Sequence, residues 1–148
     1  MKILIIDDER SIRNSLKEIL ADEGYEVEVA ENGVQGCEMA DKEKYNVIFC
    51  DIKMPEMDGM EVLNRLNTMG VDAAVVMISG HADIQTAVEC IKKGAFDFIQ
   101  KPLDLNRIKK KNPAHFLIEC HSARNTVLQH LNLHVQNTWS LVLFCFVF

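Results

Sequence analysis

The chain has 148 residues, a formal charge of −6 and 48% hydrophobic residues. That length holds one domain with a true core and little beyond it. The acidity argues against nucleic acid as a direct partner, because a phosphate backbone is met by a basic face.

"KILIID" at 2–7 is an apolar run ending in acid, the pattern of a buried strand. Ser11 opens a helix whose Ile12, Leu16, Ile19 and Leu20 fall on one face, and Gly24 stops it. "YEVEVA" at 25–30 alternates as a half-buried strand does. Asn32-Gly33 turns the chain, and a second helix covers roughly 34–42. "VIFC" at 47–50 is a third buried strand and carries Asp51 at its end, before Pro55 and Asp58-Gly59 break the chain. Met60, Val62, Leu63 and Leu66 predict a third helix after Gly59. "AAVVMIS" at 73–79 is a fourth strand. Asp83 caps a fourth helix, with Ile84, Ala87, Val88 and Ile91 expected to face inward and Gly94 ending it. "FDFIQ" at 96–100 is a fifth strand, broken by Pro102, and Asp104 is placed to cap a fifth helix.

Composition changes near Lys109. Residues 1–108 carry a net charge of −9 and residues 109–148 a net of +3. The second segment also holds His115, His121, His130, His134 and the sole tryptophan, Trp139. Those histidines fit no zinc spacing. The chain therefore divides into a domain over 1–108 and a tail over 109–148. Five cysteines, an odd number without a CxxC pair, point to reduced thiols and a cytoplasmic location. Asp7, Asp8 and Glu9 at the start exclude a signal peptide, and the apolar end, 139–148, is too short to span a membrane.

Strands and helices alternate, which predicts an α/β fold: a doubly wound, five-stranded parallel sheet with helices on both faces. Sites in such sheets lie beyond the carboxyl ends of the strands, where the strand order reverses. Those ends carry Asp7-Asp8, Asp51, Ser79 and Lys101-Pro102. With strand order 2-1-3-4-5, strands 1 and 3 are neighbours and the acidic pair meets Asp51. Clustered carboxylates repel unless a hard cation joins them, and oxygen ligands with room for water suit Mg²⁺. Asp51 is then a candidate nucleophile toward a phosphoryl group, with Ser79 and Lys101 as candidate contacts for its oxygens.

In order along the chain, "ILIIDDE", "CDIKMPEMDGMEVL", "VVMISGHADI" and "GAFDFIQKPLDLNRI" resemble the receiver domain of bacterial two-component response regulators. "SGHADIQTAVECIKKGAFDFIQKPLDL" is most similar to the nitrogen-regulator class of enhancer-binding regulators. The resemblance covers about 1–108 and implies a flavodoxin-like fold. It implies Asp51 as phosphoacceptor, with Mg²⁺ held by Asp8, Asp51 and the Lys53 backbone carbonyl, and by Asp7 through water. It implies Ser79 and Lys101 on the phosphoryl oxygens, and Phe98 at the aromatic switch position, often Tyr in the family. It implies a cis peptide before Pro102.

The partner implied is a sensor histidine kinase, and a homodimer would use the face of helix 4, strand 5 and helix 5. The function implied is a phosphoacceptor switch in a phosphorelay controlling transcription, not an enzyme turning over a free substrate. Two alternatives stand beside it. An aspartate-nucleophile phosphatase of the haloacid dehalogenase kind wants DxD on the first strand; here Asp7 and Asp8 are adjacent. An interaction module that has lost switching keeps the fold and the partner face. Cys50 is expected to pack in the core on the strand face opposite Asp51, and His81 to face solvent. The segment after residue 108 departs from the class: it has no GxxxxGK[ST] phosphate loop and no helix-turn-helix. Pro113 falls where the fifth helix should continue, at a cost of about 3 kcal/mol. Two origins stand for the tail: a reading-frame shift near Lys109-Lys110-Lys111, or a genuine short tail that packs on the domain.

Overall fold

The computed structural model describes residues 1–80 and 84–102. The elements are β1 (Lys2–Ile6), α1 (Arg10–Asp22), β2 (Glu26–Ala30), α2 (Gly33–Lys42), β3 (Val47–Asp51), α3 (Gly59–Thr68), β4 (Ala74–Ser79), α4 (Ile84–Lys92) and β5 (Asp97–Gln100). The strands form one five-stranded sheet in the order β2-β1-β3-β4-β5, all pairs parallel. The order reverses between β1 and β3, so the carboxyl ends of those two strands open a crevice, as expected. The fifth helix, the Asp83 and Asp104 caps, His81 and the tail lie outside the described residues.

The alternation of side chains along each strand splits the core in two. Leu4, Ile6, Ile48, Cys50, Val75 and Met77 face α2, α3 and α4, where Cys37, Ala40, Val62, Leu63, Leu66 and Cys90 meet them. Ile3, Ile5, Val47, Phe49, Val76 and Ile78 face the side of α1, where Leu16 and Leu20 pack. Cys50 is fully buried in the first of these clusters, as its place beside Asp51 predicted. Both faces of β1, β3 and β4 are dry, which is why those segments read as continuous apolar runs rather than alternating ones. β2 is an edge strand, and its Val27 and Val29 are only half-buried.

Local signals set the starts of α2 and α3. Asn32 accepts from the Gln35 amide at 2.8 Å and so caps α2. Asp58 and Glu61 form a reciprocal capping box on α3. α1 starts at Arg10, one residue before the expected Ser11; its Glu9 side chain does not cap a backbone amide of the helix and instead accepts from the Ser11 hydroxyl at 2.6 Å.

The inward face of α4 differs from expectation. Ile84 is 82% exposed, and Val88 and Ile91 are also exposed. Cys90 is the buried residue of this helix, flanked inward by half-buried Thr86 and Ala87. The helix is rolled about a quarter turn from the orientation its apolar stripe suggested. Cys90 stands 3.4 Å from the Met60 sulfur on α3, so the small side chains of α4 make the close approach, and Ile84, Val88 and Ile91 turn outward.

Candidate phosphoryl-transfer site

Four strand ends build the site. β1 delivers Asp7 and Asp8, β3 delivers Asp51, β4 delivers Ser79, and the residue after β5 is Lys101. Carboxylate oxygens of Asp7, Asp8 and Asp51 all lie within 4.8 Å of one another. The Lys101 ammonium stands 2.9 Å from Asp51 Oδ1 and 3.0 Å from Asp7 Oδ2. Asp7 is fully buried and Asp51 is 3% exposed, whereas Asp8 opens to solvent. Two buried carboxylates are tolerable here because the Lys101 ammonium meets both. The Glu9 amide donates to Asp7 Oδ1 at 2.8 Å.

Burial pushes the Asp51 carboxyl above the usual aspartate range, against the pull of Lys101, and the charges of Asp7 and Asp8 add to the push. Burial also opposes the Lys101 ammonium, but Asp51 and Asp7 outweigh it, so its pKa is raised and it stays charged. Among the described residues, one ammonium, paired to Asp51 and Asp7, meets a cluster of three carboxylates, and a net negative pocket of hard oxygen donors fits a small divalent cation such as Mg²⁺.

Ser79 is the buried last residue of β4, pairs with Gln100 and accepts from the Lys101 amide at 2.7 Å through its carbonyl. Phe98 lies two residues earlier on β5, opposite Met77, half-buried against the cluster on the α2–α4 face. Lys53 has an exposed side chain in the loop that follows β3. The Lys101–Pro102 peptide is cis. The fold thus gathers Asp7, Asp8, Asp51 and Lys101 directly. It sets Ser79 beside Lys101 and keeps Phe98 behind, in the packing.

Sequence reasoning passed over Arg13. Its guanidinium is buried and donates to the Asp7 carbonyl at 2.6 Å. The signal was present: Arg13 lies three residues before Leu16 and seven before Leu20, on the sheet-facing stripe of α1 where a charge is out of place.

Comparison with known proteins places this geometry. The profile of the response regulator receiver domain matches residues 3–112. CheY, a chemotaxis protein of Listeria monocytogenes, is 39% identical over 109 residues, covering 73% of this chain and 92% of CheY. The transcriptional regulatory protein ZraR of Klebsiella oxytoca is 36% identical over 107 residues, 72% of this chain but 24% of ZraR. The crystal structure of a CheY-like receiver domain protein from Methanospirillum hungatei JF-1 superposes with a TM-score of 0.74 at 33% identity, covering 82% of this chain and 97% of that one. The chain belongs to the response regulator receiver domain family of two-component systems. Phosphorylation on an aspartate is the general property of that family, and its members are signalling switches that bind Mg²⁺ at an acidic pocket. ZraR is a regulator of the nitrogen-regulator class, and this chain spans about a quarter of its length. No helix among the described residues is long and apolar enough to cross a membrane.

Proposed function

We propose that this protein accepts a phosphoryl group on Asp51 from a phosphohistidine of a sensor kinase and works as a cytoplasmic switch. The observation that carries this reading is the Asp7–Asp8–Asp51 cluster closed by the Lys101 ammonium 2.9 Å from Asp51. A bound Mg²⁺ supplies charge neutralisation and orientation of the phosphoryl oxygens. Asp8, Asp51 and the Lys53 carbonyl are the residues to hold it, with Asp7 acting through water. An Asp51 carboxylate oxygen attacks phosphorus. The P–N bond breaks, its electron pair returns to the imidazole, and the imidazole takes a proton. Lys101 and the Ser79 hydroxyl meet the charge that gathers on the phosphoryl oxygens, the main demand of phosphoryl transfer. Ser79 drawn toward Asp51 leaves room for Phe98 to turn inward behind it. That biases the face of α4 and β5, a shift between two populations. The same face is the one offered for pairing of two copies. The domain with this function spans 1–108, with the tail at 109–148 outside it.

Intact mass after incubation with acetyl phosphate and Mg²⁺ tests the reading. One lasting phosphoryl adduct, absent from Asp51→Ala, is the expected result. Continuous release of free phosphate marks a phosphatase instead. No adduct marks a non-switching interaction module.

A further inference from the structure

Arg13 is the buried charge that the mechanism above leaves unused. It is 6% exposed. It occupies a stripe position beside Leu16 and Leu20, where an apolar side chain would pack without the desolvation cost that a buried ion carries. Its fork spans two loops. One nitrogen donates to the Asp7 carbonyl at 2.6 Å, and the other stands 3.5 Å from Glu31, just past the end of β2.

The carbonyl it holds belongs to the peptide that joins Asp7 to Asp8. The Asp7 carboxylate is already fixed by the Glu9 amide and by Lys101. No hydrogen bond among the described residues fixes the Asp8 carboxylate, so the plane of that peptide sets the backbone position from which the Asp8 side chain extends. A charged donor on a carbonyl is about twice as strong as a neutral one and sets that plane. Below it, the Arg13 amide donates to the Glu9 carbonyl at 3.1 Å, so the same residue anchors both ends of the Asp7–Glu9 loop.

We propose that Arg13 is a positioning residue of the phosphoryl-transfer site: from within α1 it locks the Asp7–Asp8 peptide and so sets the carboxylate pair for a divalent cation. The inference rests on the reading of the acidic cluster as a Mg²⁺ and phosphoryl site. Lysine is not an equivalent, since a single ammonium cannot reproduce the planar fork that reaches two loops.

The test titrates Mg²⁺ by calorimetry into the parent, Arg13→Gln and Arg13→Lys. Asp7 carbonyl ¹³C resonances and melting curves are recorded without metal. Loss of a group that orients metal ligands lowers affinity about 10- to 100-fold, which is the loss expected for Arg13→Gln. Arg13→Lys, which keeps the charge and one donor, falls between that variant and the parent. The Asp7 carbonyl resonance moves in Arg13→Gln while melting stays cooperative. A folded Arg13→Gln with affinity within about twofold of the parent overturns the proposal, since loss of an orienting partner typically costs about 10- to 100-fold. An unmoved Asp7 resonance overturns it too. If Arg13→Gln unfolds, Arg13→Lys decides by the same two readouts. If both unfold, the residue is structural and the proposal falls. A parent that binds Mg²⁺ but takes no phosphoryl group from acetyl phosphate refutes the switch reading alone and leaves the Arg13 test standing. A parent that binds no Mg²⁺ refutes both.

Discussion

Gly59 stands against the backbone of Asp51: a Cβ at residue 59 would lie 2.2 Å from the Asp51 carbonyl oxygen and 2.8 Å from Ile52 Cα. The Gly59 amide also donates to the Ile52 carbonyl at 2.8 Å. The start of α3 is thus seated directly on the end of β3, and the loop between them is closed by contact that only glycine permits. Because the obstacle is backbone, it does not yield by a rotamer change. Gly59→Ala is expected to cost about 1–3 kcal/mol, the scale of overpacking. The displaced β3 end carries Asp51 with it, so the rate of phosphorylation by acetyl phosphate falls as well. Chemical denaturation and intact mass check the two effects. A variant with parental stability would show that α3 is free to lift off β3.

Asp51→Asn removes one of three crowded carboxylates and leaves an amide oxygen to accept from Lys101. Like charges in a buried cluster raise the energy of the folded state. In metal-free buffer at neutral pH the variant is expected to be more stable by about 1 kcal/mol, or roughly 4 °C in Tm for a domain of this size. Scanning calorimetry decides. A lower Tm would mean that the Asp51–Lys101 pair stabilises more than the crowding destabilises.

At the opposite end of the sheet, Lys2 bridges Glu26, Glu28 and Glu43 and lies over the Tyr45 ring at 5.3 Å. The Tyr45 hydroxyl donates to Glu28. That hydrogen bond, and then Lys2, hold the Glu28 carboxyl below its ordinary value of 4.5. A carboxylate depressed in the folded state stabilises above its unfolded pKa, and the stabilisation is lost as pH falls through the folded one. Glu28→Gln should therefore lose roughly 0.5–1 kcal/mol at neutral pH, the scale of partly exposed ion pairs. The gap from the parent should close as pH falls below the ordinary glutamate range. Urea midpoints at the two pH values measure it, and a gap that persists in acid would assign the loss to packing.

The outward stripe of α4 predicts a contrast. Ile84→Gln, at a position 82% exposed, should change stability by less than about 0.5 kcal/mol. Leu66→Ala on α3, 1% exposed, should cost about 2–5 kcal/mol. Denaturation of the two variants side by side reads this directly. A large loss at Ile84 would return the stripe to the inward orientation that periodicity suggested.

The sequence by itself determined where the described strands and helices lie, because buried runs such as "ILII" and "VVMIS" and breaks such as Asn32-Gly33 and Asp58-Gly59 act over a few residues. It also marked Asp7, Asp8, Asp51, Ser79 and Lys101, since each follows a buried run and a parallel sheet aligns such ends on one edge. Only the tertiary structure decided what meets what. Helical periodicity shows that Ile84, Val88 and Ile91 share a stripe; the close contact of Cys90 with Met60 decides that the stripe faces out. The role of Arg13 depends on a carbonyl six residues earlier and a carboxylate on another strand's loop. The Lys101–Asp7 ion pair joins residues 94 apart, a contact that no local pattern encodes and that forms only when β5 and β1 lie in one sheet.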